Sequence, residues 1–108
     1  MGRSLGYATL AVLRAILDGA SYGLDIMERT GLPSGTVYPT LSRMEKRGFL
    51  QAKWENEAEA RKEGRPRRRY YRVTKAGEAA VRKAIREYGQ LLGGLPDAAD
   101  AGAEPEEA

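Results

Sequence analysis

Apolar residues recur along this chain in two rhythms, one helical and one alternating. Leu5, Val12, Leu13, Ile16 and Leu17 share one helical face, which predicts a first helix over residues 5–18, capped by Ser4 and ended by Gly19 and Ala20. Ala8 and Leu10 lie outside that stripe, so the helix carries more apolar surface than one buried face requires. Ser21 then stands where a cap would start a short helix over 22–30, with Tyr22, Ile26 and Met27 towards the core and Gly31 at its end. After the turn of Gly31, Leu32 and Pro33, Ser34 is placed to cap a third helix beginning near Gly35. Within it Val37, Leu41 and Met44 fall at i, i+4 and i+7, leaving Thr36, Pro39, Thr40, Arg43 and Arg47 on the free surface. The ring of Pro39 strikes the carbonyl four residues back, on Gly35, so the helix begins about there or bends.

Past Gly48, a position suited to a left-handed helix end, the rhythm changes. Leu50, Ala52 and Trp54 alternate with Gln51 and Lys53, which predicts a strand buried on one side. A second strand is predicted over 68–73, and the charged stretch between them turns at Gly64 and Pro66. Thr74 caps a last helix over 75–92, in which Val81, Ala84, Ile85, Tyr88, Leu91 and Leu92 keep heptad-like spacing. Two short helices joined by a glycine-containing turn, followed by a hairpin, predict a mainly α fold with a two-stranded antiparallel wing. In this winged helix-turn-helix the third helix is the one placed to enter a major groove. The domain is expected to span 1–95, and the acidic, alanine-rich residues 96–108 lack the bulky apolar side chains needed to fold, so a disordered tail is expected there.

Composition narrows the chemistry. A chain of 108 residues forms one small core, and a domain of that size buries only about two-thirds of its unfolded surface, which favours association with a second copy. The absence of cysteine and histidine removes disulfides, thiolate or imidazole metal ligands and the usual neutral-pH base. Asp18, Asp25 and Glu28 form no evident acid/base constellation, and no glycine-rich phosphate loop is present, so no catalytic residue, metal or cofactor is expected. The apolar run over 5–17 is broken by Arg14 and falls short of the ~20 residues that span a bilayer, and no convincing cleavage site follows it. A cytoplasmic protein is the expectation.

Charge then points to a partner. Of the 15 acids, five lie in 96–108, so residues 1–95 hold 18 bases against 10 acids, a net of +8 where the whole chain has +3. Such a surface favours a polyanion, because each base placed on a phosphate releases condensed counterions. Residues 61–75 alone carry eight bases and one acid, Glu63. A run of this kind is often only a solvated face. Here Arg65, Arg67, Arg68 and Arg69 fall at the hairpin tip, beside the candidate recognition helix, and arginine suits phosphates and the narrow minor groove. Double-stranded DNA is therefore the expected partner. The other reading is a winged-helix module that contacts proteins without operator specificity, for which the acidic tail and the apolar last helix speak. Trp54 reads either as a packing residue or as part of a pocket for a flat aromatic effector, and Tyr7, Tyr22 and Tyr88 stay open between core, interface and ligand contact.

The segments SYGLDIMERTGLPSGTVYPTLSRMEKRGFLQAKWE and GRPRRRYYRVTKAGEAAV resemble the PadR family of bacterial transcriptional regulators. The shared motifs are Tyr22 with Gly23, the Ser34 to Leu41 run, and Arg68 to Gly77, and the resemblance covers about residues 5–85. It implies a homodimer joined through the first and last helices, which represses transcription from a palindromic operator until an effector binds. By position it implies that Ser34, Gly35, Thr36, Tyr38 and Pro39 meet the DNA, with Arg67, Arg68 and Arg69 in the wing. Arg43 joins this set from its place on the helix face. Leu5, Leu10, Leu13, Val81, Ile85, Tyr88 and Leu92 are the apolar positions expected at the dimer interface, where an effector of unknown identity would also find spare apolar surface. A single helix after the wing matches the short branch of the family.

Overall fold

The computed structural model describes residues 5–93. They fold in the order α1 (Tyr7–Leu17), α2 (Gly23–Thr30), α3 (Ser34–Lys46), β1 (Leu50–Trp54), α4 (Glu57–Lys62), β2 (Arg69–Val73) and α5 (Lys75–Gly93). This is the winged helix-turn-helix that the two rhythms predict, with one helix added inside the wing. The expected tail, 96–108, lies outside the described residues, as does Ser4. Among the described residues no helix is long and apolar enough to cross a membrane.

The core is where the helical stripes meet. Val12 and Leu13 from α1, Ile26 from α2, and Val37, Leu41 and Met44 from α3 close on each other, with Leu50, Val73, Val81 and Ala84 sealing the side towards the sheet and α5. Leu13 is 0 % exposed, Val81 3 % and Leu5 9 %, so these three residues, expected at a subunit interface, are spent inside the subunit. Leu10 and Tyr88 are half-buried against the core, and Ile85 and Leu92 are exposed. Thr40 is 2 % exposed instead of lying on the free face of α3. Positions 37, 40, 41 and 44 form one continuous helical stripe, and the Thr40 hydroxyl keeps a partner by accepting from Arg43 at 3.3 Å.

Two of the expected serine caps are corrected. Ser21 does not cap α2, which is preceded by Tyr22; its carbonyl instead accepts from the Tyr71 N–H at 2.8 Å, and Tyr22 bridges to Tyr70. The segment before α2 therefore lies along β2 as a short third edge. Ser34 is the first residue of α3, because Pro33 takes the cap position with φ −76° and its carbonyl accepts from Thr36 and Val37. Pro39 sits inside that helix, and α3 does begin within a turn of it.

The far end of α3 closes as the sequence predicts. Gly48 has φ +82°, the Phe49 N–H reaches the Met44 carbonyl at 2.9 Å and the Gly48 N–H that of Glu45 at 3.0 Å. β1 and β2 pair antiparallel, from Leu50 opposite Val73 to Trp54 opposite Arg69. The pair is buried at the first end only: Leu50 is 2 % exposed, whereas Trp54 is 52 % exposed. The strands outrun the helix layer, so Trp54 is not a core residue. Between them, residues 57–62 form α4 where a loop is expected, with the Asn56 side chain accepting from the N–H groups of Ala58 and Glu59.

Candidate nucleic-acid interface

The N-terminal half of α3 offers short polar groups on an exposed surface. Ser34, Gly35 and Pro39 are exposed, Thr36 is half-buried and Tyr38 is 46 % exposed. The Tyr38 ring lies against Gly23 of α2, where an added Cβ would run into its hydroxyl and ring carbons. The glycine of the Tyr22–Gly23 pair is thus what allows Tyr38 to lie across α2. Arg43 is exposed further along the helix.

The wing is organised by Glu55, directly after β1. Arg65 forks its carboxylate, with Nη1 to Oε1 at 2.6 Å and Nη2 to Oε2 at 2.9 Å, and the Arg68 N–H donates to Oε1 at 3.1 Å. The Glu55 N–H reaches the Arg68 carbonyl at 2.7 Å, while its own carbonyl accepts from Arg67 Nε at 3.1 Å. The Glu55 side chain is only 9 % exposed. Its bond to Arg65, reinforced by the Arg68 N–H, outweighs burial and holds the carboxyl down at about 2, and the Arg65 guanidinium is correspondingly harder to deprotonate.

A second ion pair, Arg69 Nη2 to Glu45 Oε2 at 3.1 Å, ties β2 to α3. Trp54 has two guanidiniums near its ring, with Arg67 Cζ at 5.2 Å and Arg69 Cζ at 5.1 Å from the centroid. Arg68 Cζ lies 3.9 Å from the centroid of Tyr22, which in turn meets Tyr70 edge-on at 5.8 Å. Burial pushes the Tyr71 hydroxyl up, partly offset by Arg69.

These groups frame a cleft of about 350 Å³ between α2, α3 and the wing, lined by Tyr22, Gly23, Leu24, Tyr38, Trp54 and residues 65–69. The structure therefore brings Tyr38 of α3 together with Arg67, Arg68 and Arg69 of the wing. Ser34, Gly35 and Pro39 lie on the same helix end, and Arg43 stands apart from the cleft. The wing arginines differ from a free cationic patch: Arg65 and Arg69 are in ion pairs. Sequence reasoning missed Glu55, the platform role of Tyr22 and Trp54, and the 62 % exposed Leu24. Their contacts cross between elements, so spacing along the chain carries no signal for them. Among the described residues no cluster of His, Cys, Asp and Glu could hold a metal ion.

A family model described as "Transcriptional regulator PadR-like family" matches residues 12–83. Similar solved structures include a transcriptional regulator from Clostridium thermocellum, 26% identical with a TM-score of 0.65, the match covering 80% of this chain and 84% of that one. A PadR family transcription regulator from Clostridium difficile is 24% identical with a TM-score of 0.69, over 80% of this chain and 91% of that one. BpsR of Bordetella bronchiseptica is 24% identical with a TM-score of 0.66, over 91% of this chain and 74% of that one. No curated protein matches the chain.

Proposed function

This chain belongs to the PadR-like family of transcriptional regulators, and we propose that it is a homodimeric repressor that seats α3 in the major groove of each half of a palindromic operator. The observation that carries this reading is the shared cleft: Tyr38 of the recognition helix and Arg67 and Arg68 of the wing line one cationic surface. Ser34, Gly35, Thr36 and Pro39 present short side chains and backbone near the start of α3, where unpaired N–H groups and the helix dipole favour an anion. Arg43 extends the basic face along the helix. Arg69 contributes by fixing the wing to α3 through Glu45.

Dimerisation falls to the exposed apolar residues of α1 and α5. Tyr7 is 75 % exposed, Ile85 45 %, Leu91 67 % and Leu92 56 %, apolar side chains that a second subunit would cover. Release by a small molecule follows a parallel at the level of fold: DNA binding by BpsR is regulated by 6-hydroxynicotinic acid. The effector site is placed between α1 and α5 of the two subunits, and a ligand-bound structure with the molecule lodged elsewhere would overturn that placement.

Selection of bound sequences from random DNA tests the whole reading. It should return a palindrome whose half-sites lie about one turn apart, ~34 Å, bound by a dimer with affinity falling steeply as salt rises. Failure to select any sequence, or a complex indifferent to salt, refutes it.

A further inference from the structure

The wing arginines sort into two kinds by whether a carboxylate holds them. Arg65 and Arg69 face carboxylates, Glu55 and Glu45, although Arg69 also has its Cζ 5.1 Å from the Trp54 ring centroid. Arg67 and Arg68 have no ion-pair partner among the described residues, and each lays its guanidinium near an aromatic ring, Arg67 at Trp54 and Arg68 at Tyr22. A guanidinium on a ring uses its flat face there and keeps its in-plane N–H edge for acceptors. Arg67 spends only Nε, on the Glu55 carbonyl, and the Arg68 side chain makes no hydrogen bond among the described residues. An arginine already held on a ring has less rotamer freedom left to lose on binding an oxyanion. The Tyr22 ring is itself held by the edge contact to Tyr70, and the Trp54 ring has Arg67 and Arg69 within 5.2 Å of its centroid.

We propose that the cleft between Tyr22, Tyr38 and Trp54 seats a backbone phosphate of duplex DNA, clamped by the in-plane edges of Arg67 and Arg68. Trp54 and Tyr22 are the positioning residues that hold those two guanidiniums, while Arg65 and Arg69 shape the wing and stay off the DNA. A phosphate fits better than a base edge because two cations without an ion-pair partner among the described residues converge on one cleft, and a forked guanidinium matches an oxyanion in two points. The seat rests on the reading of α3 and the wing as a DNA interface.

The test uses the full chain and its selected operator. R67Q and R68Q should each flatten the slope of log K against log salt, and the double variant should flatten it by about 0.9, the value of one phosphate contact. R65Q and R69Q should weaken binding with the slope unchanged. Replacing operator phosphates one at a time by neutral methylphosphonate should locate a position at which wild type loses affinity at least tenfold and the R67Q/R68Q double variant loses none. W54A should weaken binding severalfold at constant slope, W54F should restore it, and W54L, which fills space without offering a ring face to Arg67, should not. A wild type that binds no DNA sinks the parent reading and the seat together. A wild type with a steep slope that R67Q and R68Q leave intact, or that R69Q flattens, overturns the seat alone.

Discussion

The helical body and the wing are held together by opposite means. In the body, Val12, Leu13, Ile26, Val37 and Leu41 are at most 1 % exposed, and α3 is positioned by the volume of apolar side chains. In the wing, beyond the strand ladder and the buried Leu50, Ala60 and Val73, the side-chain contacts are dominated by Glu55 with Arg65, Arg69 with Glu45, and arginines on Trp54 and Tyr22. Apolar packing has no charge to screen or to titrate, whereas ion pairs answer to both salt and pH. The helix α3 is therefore fixed by shape and the wing by charge, so the two halves of the candidate interface are open to different perturbations.

The comparison can be broken or sharpened in three ways. The largest effect should come from Leu41→Ala, which removes a side chain 1 % exposed and leaves a cavity; we expect a loss of about 2–5 kcal/mol in urea unfolding, with body and wing melting together. A wing that outlived the body would contradict the dependence of its base on Leu50 and Val73. Next is Gly77→Ala, at the seam between α5 and the sheet. An added Cβ would run into the Phe49 carbonyl oxygen and Val73 Cγ1, and backbone cannot move aside cheaply, so a loss of about 1–3 kcal/mol and a lower Tm are expected. An unchanged Tm would show that the seam gives way. The smallest effect is local and belongs to the wing. The Glu55 carboxyl titrates at about 2 instead of 4.5, so its stabilisation is complete above 4.5 and is lost as pH falls through 2. Fluorescence of Trp54, the single tryptophan, should report that loosening in wild type. E55Q should show the loosened signal at neutral pH and a smaller acid change, and identical profiles for the two proteins would remove Glu55 from its organising role.

What the sequence disclosed follows the same division. The positions of α1, α2, α3 and α5 were legible because burial imposes a period, and Val37, Leu41 and Met44 display it plainly. Thr40 sets residue type against spacing: a polar side chain suggests the polar face, whereas its spacing puts it in the stripe. The wing was legible as two strands and opaque in detail. Trp54 follows the alternation of Leu50 and Ala52, yet the sheet extends past the core that gives alternation its meaning. The helix Glu57–Lys62 buries only Ala60 and so has no apolar rhythm; its signal was local, with Asn56 before acids in the first turn and bases in the last. The sorting of the arginines was invisible because an ion pair such as Glu45 with Arg69 joins residues brought together by the fold alone. Within the candidate interface, the α3 residues could therefore be named from sequence, whereas which wing arginines are free for a ligand could not.

Thr74 joins the two regions mechanically. Its hydroxyl donates to the Gly48 carbonyl at 2.7 Å and accepts from the Gly77 N–H at 3.1 Å, while its own N–H reaches the Phe49 carbonyl at 3.0 Å. One residue thus clasps the exit of α3 and the entry of α5 at a single pivot. A tilt of α5, the helix whose far end carries the exposed Leu91 and Leu92, must either break that clasp or turn the C-terminal end of α3 with it. The lever arm is the length of α5 beyond Gly77, 16 residues or about 24 Å at 1.5 Å per residue, so a small rotation at the pivot corresponds to a large displacement at the tip.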